Sequence, residues 1–242
     1  SSEAAKVKRG VVQFPATGGT VALGYNNPAC PALKLTQQQL ADIFLGKIDS
    51  WNDLKCGSGP IKVVHRSDGS GTTFAFTNSL SAFSSEWKSK VGEGKSVNWP
   101  TGVGSKGNEG VAGTLRNTPG SIGYLSLAFV KGELKSAAVQ NKAGKFVKPS
   151  AFTGNAALNN IVLDGNLAGE DANPAGANSY PITTLTWILA YKEDNSLKAG
   201  PTRKALLYLL GPGQNLADDL GYVPLRGDIL KKAKAAVAKI GA

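Results

Sequence analysis

Apolar residues occupy every second position in several short segments of this chain, a pattern typical of half-buried strands. In the first such segment, Val21, Leu23 and Tyr25 alternate with smaller residues. Glycine and proline interrupt the pattern between the segments, which indicates turns. Strands are therefore predicted over 19–26, 61–65, 122–125 and 184–191.

Between these strands, apolar residues recur at every third or fourth position, the spacing of an amphipathic helix. The clearest helix start is at Thr36, which forms a capping box with Gln39, and Gly46 marks the end of that helix. Further helices are predicted through Phe76, Leu80 and Phe83, after a cap at Asn108, and over 202–210 and 228–240. Strands that alternate with helices predict an α/β fold with a largely parallel sheet.

The connection between the second strand and the next helix carries the most informative chemistry. Over 65–74 it reads His-Arg-Ser-Asp-Gly-Ser-Gly-Thr-Thr-Phe. The first amide groups of a helix attract an anion, because they have no partner inside the helix and lie at the positive end of its dipole. Ser70 and Thr72 add hydroxyl donors, and Arg66 adds a planar guanidinium suited to an oxyanion. The segment therefore predicts an oxyanion site.

Three neighbouring residues would support this site. Gly69 and Gly71 have no side chain, so a ligand can approach the backbone closely. Asp68 lies two residues after Arg66 and is placed to hold the guanidinium. The alternative interpretation is a plain capped turn with a surface ion pair, which would contribute little.

The same segment resembles the binding motif of a known family. From Arg66 to Phe74 it is similar to the signature of the phosphate-binding protein of the periplasmic phosphate ABC transporter, the PstS type. Further segments are similar to that family in the same order, at 40–48 with Trp51 and Asn52, 106–112, 118–124 and 221–224. The resemblance implies that Asp68 orients Arg66. It implies direct phosphate ligands at Arg66, Ser70, Gly71 and Thr72.

The resemblance also implies a fold, a periplasmic binding protein type II-like clamshell in which two α/β domains close over the ligand. Mapped onto this sequence, the chain crosses between the domains at 21–26 and 182–187. The second domain is then nearly complete as 27–182, and a truncated first domain is left with 1–26 and 183–242. A truncated domain would leave sheet edges unpaired. It would also expose the apolar side chains of Leu206, Leu209 and Leu210.

Members of the family begin with a longer segment that supplies further phosphate ligands, including a carboxylate that accepts the ligand's proton. This sequence begins at Ser1, and it contains no counterpart of that segment. A missing N-terminal segment or a second chain would be needed to complete the first domain. The sequence also contains no methionine, which predicts a processed or trimmed chain.

The function implied by the resemblance is capture of inorganic phosphate outside the cytoplasmic membrane and its delivery to the membrane subunits of an ABC permease. The protein would then be periplasmic or extracellular. The alternative is a secreted scaffold or interaction protein with a partial, vestigial phosphate site. A single histidine and the lack of a nucleophile motif argue against an enzyme, and no cofactor is predicted.

Composition adds a positive charge and one possible disulfide. The 242 residues carry a formal net charge of +10, which favours anionic partners such as phosphate. No nucleic-acid partner is predicted, because the lysines are spread along the chain and no nucleic-acid-binding motif is present. Cys30 and Cys56 are expected to form a disulfide in a periplasmic or extracellular setting, and two free buried thiols are the alternative. These cysteines and one histidine do not suffice for a metal site.

Overall fold

The structure of the protein is a computed structural model that describes residues 6–241. The strands within this range are β1 (Val11–Asn26), β2 (Lys34–Leu35), β3 (Lys62–Arg66), β4 (Val103–Ser105), β5 (Ser121–Ser126), β6 (Lys135–Ser136), β7 (Ala138–Gln140), β8 (Phe146–Val147) and β9 (Thr183–Tyr191). The α-helices within it are α1 (Gln37–Phe44), α2 (Gly71–Phe83), α3 (Ser85–Lys90), α4 (Gly107–Asn117), α5 (Ala151–Leu158), α6 (Ala199–Leu209) and α7 (Gly227–Val237).

The larger of two sheets runs in the order β4-β3-β5-β1-β6, and β9 also pairs with β1. β3 is parallel to β4 and β5, whereas β1 is antiparallel to β5, β6 and β9. The α/β class is confirmed, but the expectation of a largely parallel sheet is wrong. That expectation assumed that every helix returns the chain to the sheet in the same direction. α1 instead packs on α2 and β2, and β3 enters the sheet opposite to β1.

The helices α2 and α4 cover opposite faces of this sheet. Successive side chains of a strand point to opposite faces, so Val63 packs in one core with Phe76 of α2, and Val64 packs in another with Leu115 of α4. Both helices follow the carboxyl ends of neighbouring parallel strands, since Arg66 of β3 pairs with Ser105 of β4. The amino ends of α2 and α4 therefore lie at the same edge of the sheet.

The strand β1 is long enough to pair with different strands along its two halves. Its residues 11–20 pair with β9, and its residues 21–26 pair with β5. A register shift between Pro15 and Thr17 marks an irregularity in the ribbon that β1 forms with β9. One face of this ribbon packs on α7, where Phe14 and Val237 belong to a third core.

The leucines that were expected to be exposed do not behave alike. Leu209 is exposed and Leu206 is partly buried, but Leu210 is fully buried. The expectation for Leu210 is wrong because α6 packs on α7, which places this residue in the third core, with Phe14 and Val237.

Two predicted helix starts had different outcomes. The capping box of Thr36 and Gln39 is present at the start of α1. The predicted cap at Asn108 is wrong, because α4 begins at Gly107 and Lys106 takes the cap position. The Asn108 side-chain oxygen instead accepts a hydrogen bond from the Ser126 N–H at 3.0 Å, which ties α4 to the end of β5.

Cys30 and Cys56 form a disulfide with their Cα atoms 4.8 Å apart, as predicted. The bridge closes a loop that contains α1. Among residues 6–241, no helix combines the length and the apolar character needed to cross a bilayer. No group of three or more His, Cys, Asp or Glu residues in this range lies close enough together to hold a metal ion.

Candidate oxyanion site

The candidate site is the connection from β3 to α2. Arg66 is the last residue of β3, and Gly71 is the first residue of α2. Ser70 caps the helix, because its hydroxyl oxygen accepts a hydrogen bond from the Thr73 N–H at 3.2 Å. The Ser70 N–H in turn donates to the Lys95 carbonyl at 2.9 Å. A strand, a turn and a capped helix therefore follow one another here as the sequence predicts.

Hydrogen-bond donors remain free at the start of α2. Within the described part of the chain, the N–H groups of Gly71 and Thr72 donate to no acceptor. The Ser70 hydroxyl uses its oxygen to accept from Thr73 and keeps its own hydrogen available. These donors lie at the positive end of a helix of 13 residues, where an anion is stabilised.

Asp68 holds the Arg66 guanidinium from one side. Arg66 Nε donates to Asp68 Oδ1 at 2.7 Å, and Arg66 Nη2 donates to Asp68 Oδ2 at 2.5 Å. Asp68 Oδ1 also accepts from the Gly107 N–H at 3.0 Å, which brings the amino end of α4 to the same carboxylate. The Arg66 side chain is only 9% exposed. Its burial and its two hydrogen bonds to Asp68 together restrict its position.

The ion pair stays charged over the physiological pH range. The hydrogen bonds from Arg66 and then that from the Gly107 N–H hold the pKa of the Asp68 carboxyl far below its usual range. The same pairing raises the pKa of Arg66. Asp68 engages Nε and Nη2 of Arg66, and within residues 6–241 Arg66 Nη1 donates to no protein acceptor. The guanidinium therefore keeps donors for a ligand.

Gly69 and Gly71 leave open space beside these donors. A Cβ atom added at either glycine would meet no heavy atom within 4 Å. Neither residue has a positive φ angle, so the backbone conformation does not require glycine. Neither crowding within the described chain nor a left-handed backbone accounts for the two glycines.

Sequence reasoning missed two contacts of the site. One is the Gly107 N–H at Asp68, and the other is Tyr124 of β5. The Tyr124 hydroxyl accepts from the Arg66 N–H at 3.1 Å and lies 2.7 Å from Thr73 Oγ1. Burial raises the pKa of Tyr124 to about 12, so the hydroxyl keeps its hydrogen. Nothing in the local pattern around residue 124 points to residue 66.

None of the four cavities described below is lined by residues of the site. Four cavities of about 220 to 830 Å³ are lined by other residues. Two of them, of about 590 and 690 Å³, lie on the ribbon of β1 and β9 beside Gln13 and Leu189. Hydrogen-bond donors, and not cavity size, therefore identify the candidate site.

Known proteins are similar to this chain over most of its length. A family profile described as a PBP superfamily domain matches residues 1–209. The phosphate-binding protein PstS of Xylella fastidiosa is 44% identical over 248 residues, which cover 94% of this chain and 67% of that protein. PstS of Pasteurella multocida is also 44% identical, over 93% of this chain and 70% of that protein. The chain thus spans about two thirds of the length of these relatives.

Solved structures support the fold alone, because their sequence identities are low. A high-affinity periplasmic phosphate-binding protein, PfluDING, solved with bound phosphate, superposes with a TM-score of 0.79 at 22% identity, over 97% of this chain and 74% of that chain. A phosphate-binding protein from Stenotrophomonas maltophilia gives a TM-score of 0.74 at 20% identity, over 93% of this chain and 70% of that chain.

Proposed function

This chain belongs to the PstS family of phosphate-binding proteins, and from that premise we propose that it binds inorganic phosphate outside the cytoplasmic membrane for ABC-type uptake. One observation carries the proposal. Free N–H donors at the start of α2 lie beside a guanidinium that its own aspartate holds in place.

The ligand-binding residues in this proposal are those implied by the motif. Arg66 supplies positive charge and bidentate hydrogen bonds. The Gly71 and Thr72 amides donate at the positive end of the helix dipole. The hydroxyls of Ser70 and Thr72 add donors. Asp68 orients Arg66, and Gly69 leaves room for the ligand. The relatives are named as binding proteins, and we assign no catalytic step to these residues.

The donors at this loop distinguish weakly between phosphate and sulfate. Protonated phosphate presents a hydrogen, which sulfate lacks at neutral pH, so selectivity needs an acceptor near the ligand. Asp68 is the carboxylate of the loop, and three N–H groups already donate to it. Selectivity for phosphate therefore depends on an acceptor outside the loop.

The proposed clamshell has a second lobe formed by 27–182 and a first lobe formed by 1–26 and 183–242. Support comes from β1, which passes from the core that contains Val237 to the core that contains Phe76, and from β9, which pairs with the first half of β1. In the first lobe, Leu189 of β9 is 67% exposed and Tyr191 is 50% exposed. We propose that a further N-terminal segment or a second chain covers this face. The membrane subunits of an ABC permease are the proposed receiving partners.

Calorimetric titration of the protein with phosphate tests the function. We expect saturable binding by the wild-type chain and loss of measurable heat in Arg66→Ala, because a charged hydrogen-bonding partner is removed. Arg116→Ala is the matched control, since Arg116 is an exposed arginine on α4. Wild-type protein that gives no heat with phosphate would reject the proposal, and equal effects of the two variants would reject the role of Arg66.

A second candidate is a secreted scaffold or interaction protein whose phosphate site is vestigial. The observation that favours it is the exposed apolar surface of the first lobe, which includes Leu189 and Tyr191 on β9 and Leu207 and Tyr208 on α6. Size-exclusion chromatography with cross-linking separates the two candidates. An assembly that forms equally well with and without phosphate, in a protein that shows no phosphate binding, would favour the scaffold.

A further inference from the structure

We propose that the Tyr124 hydroxyl is a positioning group for oxyanion binding, because it joins the strand end that carries Arg66 to the first turn of α2. The inference rests on the proposed phosphate site. It assigns a role to a residue that lies outside the binding loop and need not touch the ligand.

The first step is the position of Tyr124 at the end of a strand ladder. β3 pairs with β5 up to Val64, which faces Gly123. Beyond this point the Arg66 N–H donates to the Tyr124 hydroxyl at 3.1 Å, in place of a backbone carbonyl of β5. A side chain of the neighbouring strand therefore holds the residue that carries the guanidinium.

The second step is the direction of the hydrogen bonds. Because the Arg66 N–H donates to the phenol oxygen, the phenol hydrogen is free to be donated to Thr73 Oγ1, which lies 2.7 Å away. Thr73 is buried, and its own N–H is the group that Ser70 caps. One hydroxyl thus contacts both the strand end and the first turn of the helix.

The third step is the rigidity of the tyrosine ring. Tyr124 is fully buried and stacks on Phe76 of α2, with ring centroids 4.3 Å apart. Trp99 stacks on it at 5.5 Å. A close-packed ring of this kind has little freedom to move, so its hydroxyl is a fixed point against which the strand end and the helix are aligned.

The consequence concerns the two sets of donors. The guanidinium belongs to β3 and the free amides belong to α2, and both must reach the same small anion. Ser67 and Gly69, in the turn between them, are exposed, and the Ser67 N–H ties the turn to the Ser105 carbonyl of β4 at 3.1 Å and not to α2. Donors bind tightly when neighbouring residues hold them in the productive geometry. Loss of the hydroxyl should therefore weaken phosphate binding even though no ligand-binding residue changes.

Tyr124→Phe tests the proposal, because it removes the hydroxyl and keeps the ring. We expect the phosphate Kd to rise by about 5- to 30-fold. This factor corresponds to a loss of about 1–2 kcal/mol of binding free energy. Tyr25→Phe is the matched control. The Tyr25 hydroxyl also bridges two partners, donating to the Cys30 carbonyl at 3.1 Å and accepting from the Leu33 N–H at 3.2 Å, and the residue is buried in the same core.

The control separates positioning from simple stability. We expect both variants to lower Tm by similar amounts, and only Tyr124→Phe to raise the Kd. Thr73→Val provides a second route to the same contact, since the only hydrogen bond of Thr73 Oγ1 within the described residues is with Tyr124. If the two hydroxyls act as one unit, the double variant should bind phosphate about as weakly as Tyr124→Phe alone.

The outcomes distinguish the inference from the proposed function. Wild-type protein that binds no phosphate would refute the proposed function and this inference with it. Wild-type protein that binds phosphate, with an unchanged Kd in Tyr124→Phe, would refute the inference alone. An equal rise in Kd for Tyr25→Phe would also overturn it, because the effect would then follow general stability.

Discussion

Replacing Asp68 with asparagine tests how far the folded state depends on the ion pair at the site. The carboxylate accepts hydrogen bonds from Arg66 Nε at 2.7 Å, Arg66 Nη2 at 2.5 Å and the Gly107 N–H at 3.0 Å. An asparagine of the same shape offers one acceptor oxygen, and its NH₂ group would face a donor. At least one charge-assisted hydrogen bond is therefore lost.

The size of the loss follows from the exposure of the pair. A hydrogen bond to a charged group contributes about 1.5–3 kcal/mol to stability. The Asp68 side chain is 32% exposed, and solvent screening weakens such pairs. We therefore expect Asp68→Asn to lower the free energy of unfolding at pH 7 by about 1–2 kcal/mol, which corresponds to a fall in Tm of about 2–8 °C.

The difference between wild type and variant should also depend on pH with a defined sign. The pKa of Asp68 is lower in the folded protein than in the unfolded chain. Its contribution to stability is therefore fully present above the pKa of the unfolded chain, about 3.9. The contribution is lost as the pH falls towards the lower pKa of the folded protein. The variant lacks this titration, so the two free energies of unfolding should converge as the pH falls below about 4.

Urea unfolding followed by tryptophan fluorescence at pH values between neutral and acid measures this difference. Asp228→Asn is the control, because Asp228 is 70% exposed in its pair with Lys232, and its loss should cost about 0.5 kcal/mol or less. A loss in Asp68→Asn no larger than that of the control at pH 7 would refute the reasoning. So would a difference from wild type that stays constant down to acid pH.

Three further measurements address the disulfide, the glycines and selectivity. Replacing Cys30 and Cys56 with alanine should lower the free energy of unfolding by about 3–4 kcal/mol, given their sequence separation of 26, and a smaller loss in urea unfolding would contradict the loop-closure account. Gly71→Val should leave Tm nearly unchanged, because an added side chain would meet open space. It should weaken phosphate binding about tenfold or more, and unchanged affinity would exclude close approach of phosphate to the Gly71 backbone. Sulfate should bind within about tenfold of phosphate, and a hundredfold preference for phosphate would reveal an acceptor beside the loop.

Local features of the fold could be predicted from the sequence, whereas features that depend on distant contacts, such as the relative direction of the strands, could not. The capping box of Thr36 and Gln39 depends on residues three apart, so its signal is complete in the sequence. The start of α4 depends instead on Gly107, whose φ of +71° accompanies its hydrogen bond to the distant Asp68. The sheet direction depends on where α1 packs, which the spacing of apolar residues does not record.

The candidate site itself combines both kinds of information. Its donors are contiguous in sequence, so their chemistry could be predicted from one motif. Their geometry depends on partners elsewhere, because the Arg66 N–H reaches Tyr124 across 58 residues and Asp68 reaches Gly107 across 39. The segments that hold these partners, 118–124 and 106–112, are among those that resemble the family. The same loop on a scaffold without these partners would keep its donors but not their alignment, so the site is a property of three chain segments and not of the motif alone.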